Sequence, residues 1–191
     1  LSLEHMTPVI LLSDGHIANG SEPWKIPDVA AVYPKIKTKK LDVTVTSPAD
    51  FKPYLRDSRL VRPWAVPGMK GYEHRLGGLE KQENTGNVSY DPVNHENMVH
   101  IRAQKVLNVA DNIPLQEVFG DLEGDMLVVS WGGTYGFTYS AVKALREKGH
   151  KVSLMHMKYL NPMPKNVEAI LKGFKKILVC ELNLGQLKDI L

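Results

Sequence analysis

The chain is poor in cysteine: of its 191 residues only Cys180 is one. That excludes an internal disulfide framework, and it excludes a zinc or iron–sulfur cluster held by thiolates of this chain alone. Cys180 lies in the apolar run ILVCEL, where a small buried thiol is a plainer reading than a nucleophile. Such cysteine usage suits a reducing, cytoplasmic compartment. Long hydrophobic runs are also missing. No stretch approaches the roughly 20 apolar residues of a membrane span, and the start LSLEHMTPV lacks the charged-then-apolar plan of a secretory signal. Charge of one sign is not in large excess either, the formal net charge being +3. The densest basic run, KIKTKK from Lys35 to Lys40, has no interleaved aromatics and reads as a solvated connector, not a nucleic-acid arm. What is there, 43% hydrophobic and 24% charged residues, suits a globular protein with one good core or two small ones. Neither end has the marks of a natural terminus. The first residue is not methionine, and LGQLKDIL stops inside an amphipathic pattern, so a segment of a longer polypeptide is expected.

Pattern along the chain predicts an α/β fold. TPVILLSDG is an uninterrupted apolar run closed by Asp14-Gly15, which predicts a strand buried on both faces. Seven prolines between Pro23 and Pro67 make long helices improbable there, and DVTVTS (Asp42 to Ser47) alternates like a strand. Thr85-Gly86-Asn87 is a hairpin turn by composition. Asp91-Pro92 then predicts a capped helix start, with Val99, Ala103, Val106, Ala110 and Ile113 as its apolar stripe. The last third alternates strand and helix: DMLVVSW, FTYSAVKALREK closed by Gly149, KVSLMHMKYL, KNVEAILKGF, KKILVCEL and a helix opening at LGQLKDIL. Strands separated by helices of this length imply a parallel sheet with helices on both faces.

Several motifs bear on chemistry. In VNHENMVH the two histidines, His95 and His100, are five residues apart, one more than the H-E-x-x-H zinc pattern requires. A five-residue step turns about 140° around a helix, so the imidazoles diverge and no metal site is expected. WGGTYG places Gly132, Gly133 and Thr134 at the end of a strand leading into a helix, where a ligand-free tight turn is the favoured reading and an anion-binding turn the second. Ser13-Asp14-Gly15 lacks the following asparagines of a thiamine diphosphate signature. Tyr72, Glu73, His74 and Arg75 crowd ionisable groups into a glycine-rich loop of the kind that faces partners or ligands. YLNPMPKN reads as a rigid strand exit.

Four long stretches, HMTPVILLSDGHIANGSEPW, RPWAVPGMKGYEHRLGGLEKQENTGNVSYDPVNHENMVHIRAQKV, GDMLVVSWGGTYG and YLNPMPKNVEAILKGFKKILVCELNLGQL, resemble the alpha subunit of 2-oxoacid:ferredoxin oxidoreductases, the 2-oxoglutarate type nearest. The resemblance runs in order along essentially the whole chain. It implies oxidative decarboxylation of a 2-oxoacid with coenzyme A to acyl-CoA and CO₂, with electrons passing to ferredoxin. It implies residues 1–40 as the tail of a pyrimidine-binding-like domain, 41–64 as a connector, and 65–191 as a transketolase-C-terminal-like domain. It also implies that thiamine diphosphate, Mg²⁺ and a [4Fe–4S] cluster are bound mainly by a partner beta subunit, in a hetero-oligomer without nucleic acid or membrane. No catalytic residue and no metal ligand is then expected in this segment. The loop carrying Asp14, His16, Asn19 and Glu22, together with Tyr72 to Arg75, is expected at an interface or active-site entrance. Two alternatives remain open at this point: another thiamine-dependent enzyme of the transketolase class, and a stand-alone nucleotide-binding module built on WGGTYG.

Overall fold

The computed structural model describes residues 1–23, 25–32, 37–38 and 40–191. Its elements are α1 (Ser2–His5), α2 (Gly15–Asn19), α3 (Val29–Val32), α4 (Pro92–Leu107), β1 (Gly124–Trp131), α5 (Tyr135–Glu147), β2 (Val152–Met157), α6 (Val167–Lys172) and β3 (Phe174–Cys180), with two short 3₁₀ turns at Asn108–Asn112 and Gly132–Thr134. Residues 35, 36 and 39 of the basic run lie outside the described residues, and Lys37 and Thr38 are exposed. The chain divides into two compact units, Leu1–Val9 with Lys25–Asn112 and Ile10–Trp24 with Ile113–Leu191. These bounds follow compactness, whereas the expected 1–40, 41–64 and 65–191 follow family domains.

The second unit holds the parallel sheet, in the order β2-β1-β3. Central β1 pairs with β2 from Met126↔Val152 to Trp131↔Met157, and with β3 through Leu127↔Ile177 and Val129↔Val179. Alternation along β1 sends Leu127 and Val129 to one face and Val128 to the other. On the first face they pack with Met155, Met157, Phe174, Leu187 and the α6 residues Val167 and Ile170. On the second, Val128 meets Val152, Leu154 and Val142 of α5. Helices therefore cover opposite faces, as right-handed crossovers in this strand order require. Gly149 ends α5 at φ +85, the left-handed position where glycine carries no Cβ penalty.

The first unit is loop-rich, with a hairpin and α4. The hairpin reverses at Asn84 to Gly86, where Gln82 donates to the Asn87 carbonyl and Lys81 bridges Val88, as the Thr85-Gly86-Asn87 step predicts. Asp91 caps α4 by accepting from Val93 N–H at 3.0 Å, with Pro92 in the first turn.

Four expectations are corrected. Val9 to Leu12 form no strand: Ile10 is 82% and Leu11 91% exposed, and the run has no ladder partner among the described residues to take its N–H and C=O groups. DVTVTS turns back on itself because the Asp42 carboxylate accepts from Thr44 N–H at 2.9 Å and from its hydroxyl at 2.6 Å, a local turn that outcompetes the ladder. The α4 stripe is rotated by about one residue: Met98 is buried while Val99 and Ala103 are exposed. Polar anchoring decides this, since the Asn94 side chain accepts from Glu83 N–H and donates to the Lys81 carbonyl, both at 2.9 Å, turning its face of the helix inward. Finally, residues 184–191 form turns and not a helix. Glu181 accepts from the N–H groups of Leu187 and Lys188, and Gly185 sits at φ +97.

Rotation of the α4 stripe has a direct test. Met98→Ala should cost about 2–4 kcal/mol of unfolding free energy in urea titrations, whereas Val99→Ala should stay within about 0.5 kcal/mol. Equal losses would show that α4 buries the expected stripe.

Candidate functional site at the carboxyl ends of the parallel strands

Open parallel sheets place ligands beyond the carboxyl ends of their strands. At that position in the second unit lies a cavity of about 560 Å³ lined by residues that include Leu115, Gln116, Tyr135, His156, Lys158 and Tyr159. Ser130 and His156 are register partners near the ends of β1 and β2. Their side chains meet, Ser130 Oγ and His156 Nδ1 being 2.8 Å apart. Thr138 Oγ lies 3.1 Å from Ser130 Oγ and 2.8 Å from the Thr134 carbonyl. Thr134 in turn donates to the Trp131 carbonyl at 2.7 Å, so one polar chain runs from the β1 exit turn to the imidazole. Tyr135 stands edge-on to the His156 ring at 4.9 Å between centroids.

Burial, with Lys158 adding to it, pushes the His156 pKa below its ordinary 6.5. A neutral imidazole meets Ser130 Oγ through Nδ1 either as acceptor or as donor, according to which ring nitrogen carries its proton. A serine beside a histidine suggests an activated nucleophile, but Ser130 is 0% exposed, so no substrate carbon reaches its Oγ. The pair shapes and polarises the cavity wall.

Asp14 joins the same region. Its carboxylate accepts from Ile17 N–H at 3.0 Å and caps α2. A β-carbon placed on Gly133 would fall 1.9 Å from Asp14 Oδ2. Glycine at 133 is what lets the acid lie against the Gly132-Gly133-Thr134 turn, and an anion arriving there would meet that carboxylate. Asn19 donates to the Gly15 carbonyl at 2.7 Å, while His16 and Glu22 are exposed. In the first unit, the Tyr72 hydroxyl donates to the Thr46 carbonyl at 2.7 Å and its ring packs on Phe51 at 5.3 Å. His74 Nδ1 lies 2.8 Å from the Tyr72 carbonyl, and Glu73 and Arg75 are exposed. His95 faces Glu80 at 2.7 Å and His100 faces Glu96 at 2.7 Å, each imidazole with its own carboxylate. Ser130, Thr138, His156 and Lys158 were not legible as site residues. For Ser130 and His156 the one signal is a polar residue inside each of two apolar strands, at positions that only the register aligns.

Comparisons with known proteins define the class first. Residues 124–190 match the family described as pyruvate:ferredoxin oxidoreductase core domain II. Across 100% of its length, the chain is 45% identical to the 2-oxoglutarate oxidoreductase subunit KorA of Mycobacterium tuberculosis, covering 28% of that subunit. It is 31% identical to the alpha subunit of 2-oxoacid:ferredoxin oxidoreductase 2 of Aeropyrum pernix, with 98% of this chain and 29% of that one aligned. Among solved structures, the 2-oxoglutarate:ferredoxin oxidoreductase from Magnetococcus marinus, with 2-oxoglutarate, coenzyme A and succinyl-CoA bound, superposes with TM-score 0.72 at 34% identity, over 81% of this chain and 27% of that one. The chain belongs to the 2-oxoacid:ferredoxin oxidoreductase family and resembles its alpha subunits. It spans less than a third of the length of these relatives.

Two tests follow from the site. The unfolded chain, with histidine at its ordinary 6.5, takes up a proton before half-buried His156 does, so stability is full above that pH and falls as the pH drops below it. His5 in the first unit, also lowered chiefly by burial, adds to the same acid loss. His156→Gln should flatten the decline of the urea midpoint between pH 7 and 5.5, and an unchanged slope would contradict a neutral, half-buried imidazole. Separately, Gly133→Ala should cost about 1–3 kcal/mol, and Asp14→Ala should recover much of that loss in a double-mutant cycle; strict additivity would show that the two positions do not touch.

Proposed function

We propose that the chain is part of the alpha subunit of a 2-oxoacid:ferredoxin oxidoreductase that acts on 2-oxoglutarate. The reaction is oxidative decarboxylation with coenzyme A to succinyl-CoA and CO₂, the electrons passing to ferredoxin. Identity of 45% along the whole chain to a 2-oxoglutarate oxidoreductase subunit carries this reading. Residues 65–191 are read as a transketolase-C-terminal-like domain and 1–40 as the tail of the domain before it, with support from the match over 124–190.

Thiamine diphosphate would supply the carbanion chemistry, and a [4Fe–4S] centre would carry electrons away singly. The donor set of this chain does not fit the cluster. Cys180 is the one thiol, and among the described residues no three His, Cys, Asp or Glu side chains gather as metal ligands. We assign both groups, with Mg²⁺, to a partner beta subunit in a hetero-oligomer. The residues here would shape and join. The strand-end cavity, the Asp14 to Glu22 loop and the Tyr72 to Arg75 loop are the surfaces assigned to the active-site entrance and subunit contacts. No helix among the described residues is long and apolar enough to cross a membrane.

The test is purification of the full-length subunit with the subunits that accompany it, followed by assay of 2-oxoglutarate against pyruvate with a low-potential dye. CoA-dependent dye reduction should be at least tenfold faster with 2-oxoglutarate. Preference for pyruvate would move the substrate, and no CoA-dependent reduction with any 2-oxoacid would overturn the reading.

A further inference from the structure

The first unit contains a cavity of about 410 Å³ that lies entirely between its own hairpin, α4 and the loops before them. Five cations line it, Arg56, Arg62, Lys81, Arg102 and Lys105, against one carboxylate, Glu80. Among the described residues only Arg102 of the five has a carboxylate within ion-pair distance, Glu80 at 3.1 Å, and Glu80 is shared with His95. Glu83 lies near enough to Arg56 to offset part of its charge, and it accepts from the Asn97 side chain at 2.6 Å.

The cations are held in place, not left to wave in solvent. Lys81 is 5% exposed, and its ammonium donates to the carbonyls of Gly77 and Leu79, which leaves one of its three donors over. Arg56 donates to the Tyr54 carbonyl at 3.2 Å and reaches Met98 sulfur at 3.6 Å. The Arg56 and Arg62 guanidinium carbons lie 5.6 and 5.7 Å from the Tyr54 ring centroid, so one aromatic ring presents both forks. That ring is itself seated on Gly86, where an added β-carbon would come within 2.8 Å of it. Lys105 donates to the Met6 carbonyl.

We propose that this cavity is a binding site for a phosphate-bearing anion of the pyrophosphate or nucleoside diphosphate class, held by Arg56, Arg62, Lys81 and Lys105. Partly desolvated like charges repel one another and are costly unless a counter-charge completes them. Burial, and then the neighbouring Arg62 and Arg56, already depress the Lys105 pKa to about 8. Guanidinium forks match phosphate oxygens two at a time, and an excess of several positive charges suits a polyphosphate better than a single carboxylate. The volume falls within the range of small-molecule sites, roughly 300–1,000 Å³, and exceeds the need of a lone inorganic phosphate. Leu60, Leu79 and Ile101 supply an apolar wall for the rest of the ligand.

The test reads ligand binding and not turnover, so its failure is distinguishable from failure of the proposed oxidoreductase reaction. The full-length chain, in the complex it forms, would be titrated calorimetrically with pyrophosphate, ADP and succinate at low ionic strength. Saturable pyrophosphate binding is expected, with succinate at least tenfold weaker. Tighter ADP than pyrophosphate would assign the apolar wall to a nucleoside, and equal affinities would assign the site to the diphosphate alone. Arg62→Gln and Lys105→Gln should each weaken pyrophosphate at least tenfold, while Lys70→Gln, an exposed position outside the cavity, should leave it unchanged. Circular dichroism of each variant, and a pyrophosphate-induced rise in the wild-type melting temperature, guard against misfolding. No saturable binding at millimolar pyrophosphate, binding indifferent to both substitutions, or succinate as tight as pyrophosphate would each overturn the proposal.

Discussion

Burial of β1 on both faces is the constraint on which the second unit depends. Leu127 to Ser130 are all buried, and only a strand flanked by two others can satisfy its backbone while hiding both side-chain rows. With β2 and β3 on either side, α5 and α6 have to cover opposite faces. The order β2-β1-β3 then aligns the ends of β1 and β2, where Ser130 meets His156. The strand-end cavity is thus a by-product of how the core closes, which is why its polar chain sits so near to Val128 and Val129.

The two units bear charge in different ways. At the strand ends a neutral imidazole, a hydroxyl chain and a carboxylate lying on a glycine turn make a wall that is polar but carries little net charge. In the first unit the hairpin and α4 gather cations around Tyr54 with one carboxylate between them. The first arrangement suits lining a passage for a substrate held mainly by other groups. The second suits an anion that this chain grips itself.

Much of the fold was legible because it follows from local rules. The capped start of α4 at Asp91-Pro92, the hairpin at Asn84 to Gly86, the glycine stop of α5 and all three strands of the sheet follow from spacing and punctuation. Three of the four errors fell where a polar side chain, and not apolar periodicity, had the decisive contact. Asn94 turns α4 by bonding to the hairpin backbone, Asp42 curls DVTVTS, and Glu181 gathers the N–H groups of residues 187 and 188. Such bonds depend on which partner arrives in space, so a pattern count does not see them. The candidate site shares this limit: Gly132, Gly133 and Asp14 were visible singly, but not their contact.

By itself the sequence determined the α/β class, the parallel sheet and the membership of a family, because periodicity, caps and long stretches of shared residues are written along one dimension. Tertiary structure alone decided that His156 pairs with Ser130, that Asp14 lies on Gly133, and that cations from Arg56 to Lys105 surround one cavity. Register, helix rotation and the fold-back of a hairpin set those distances, and each is a property of packing between segments far apart in the chain.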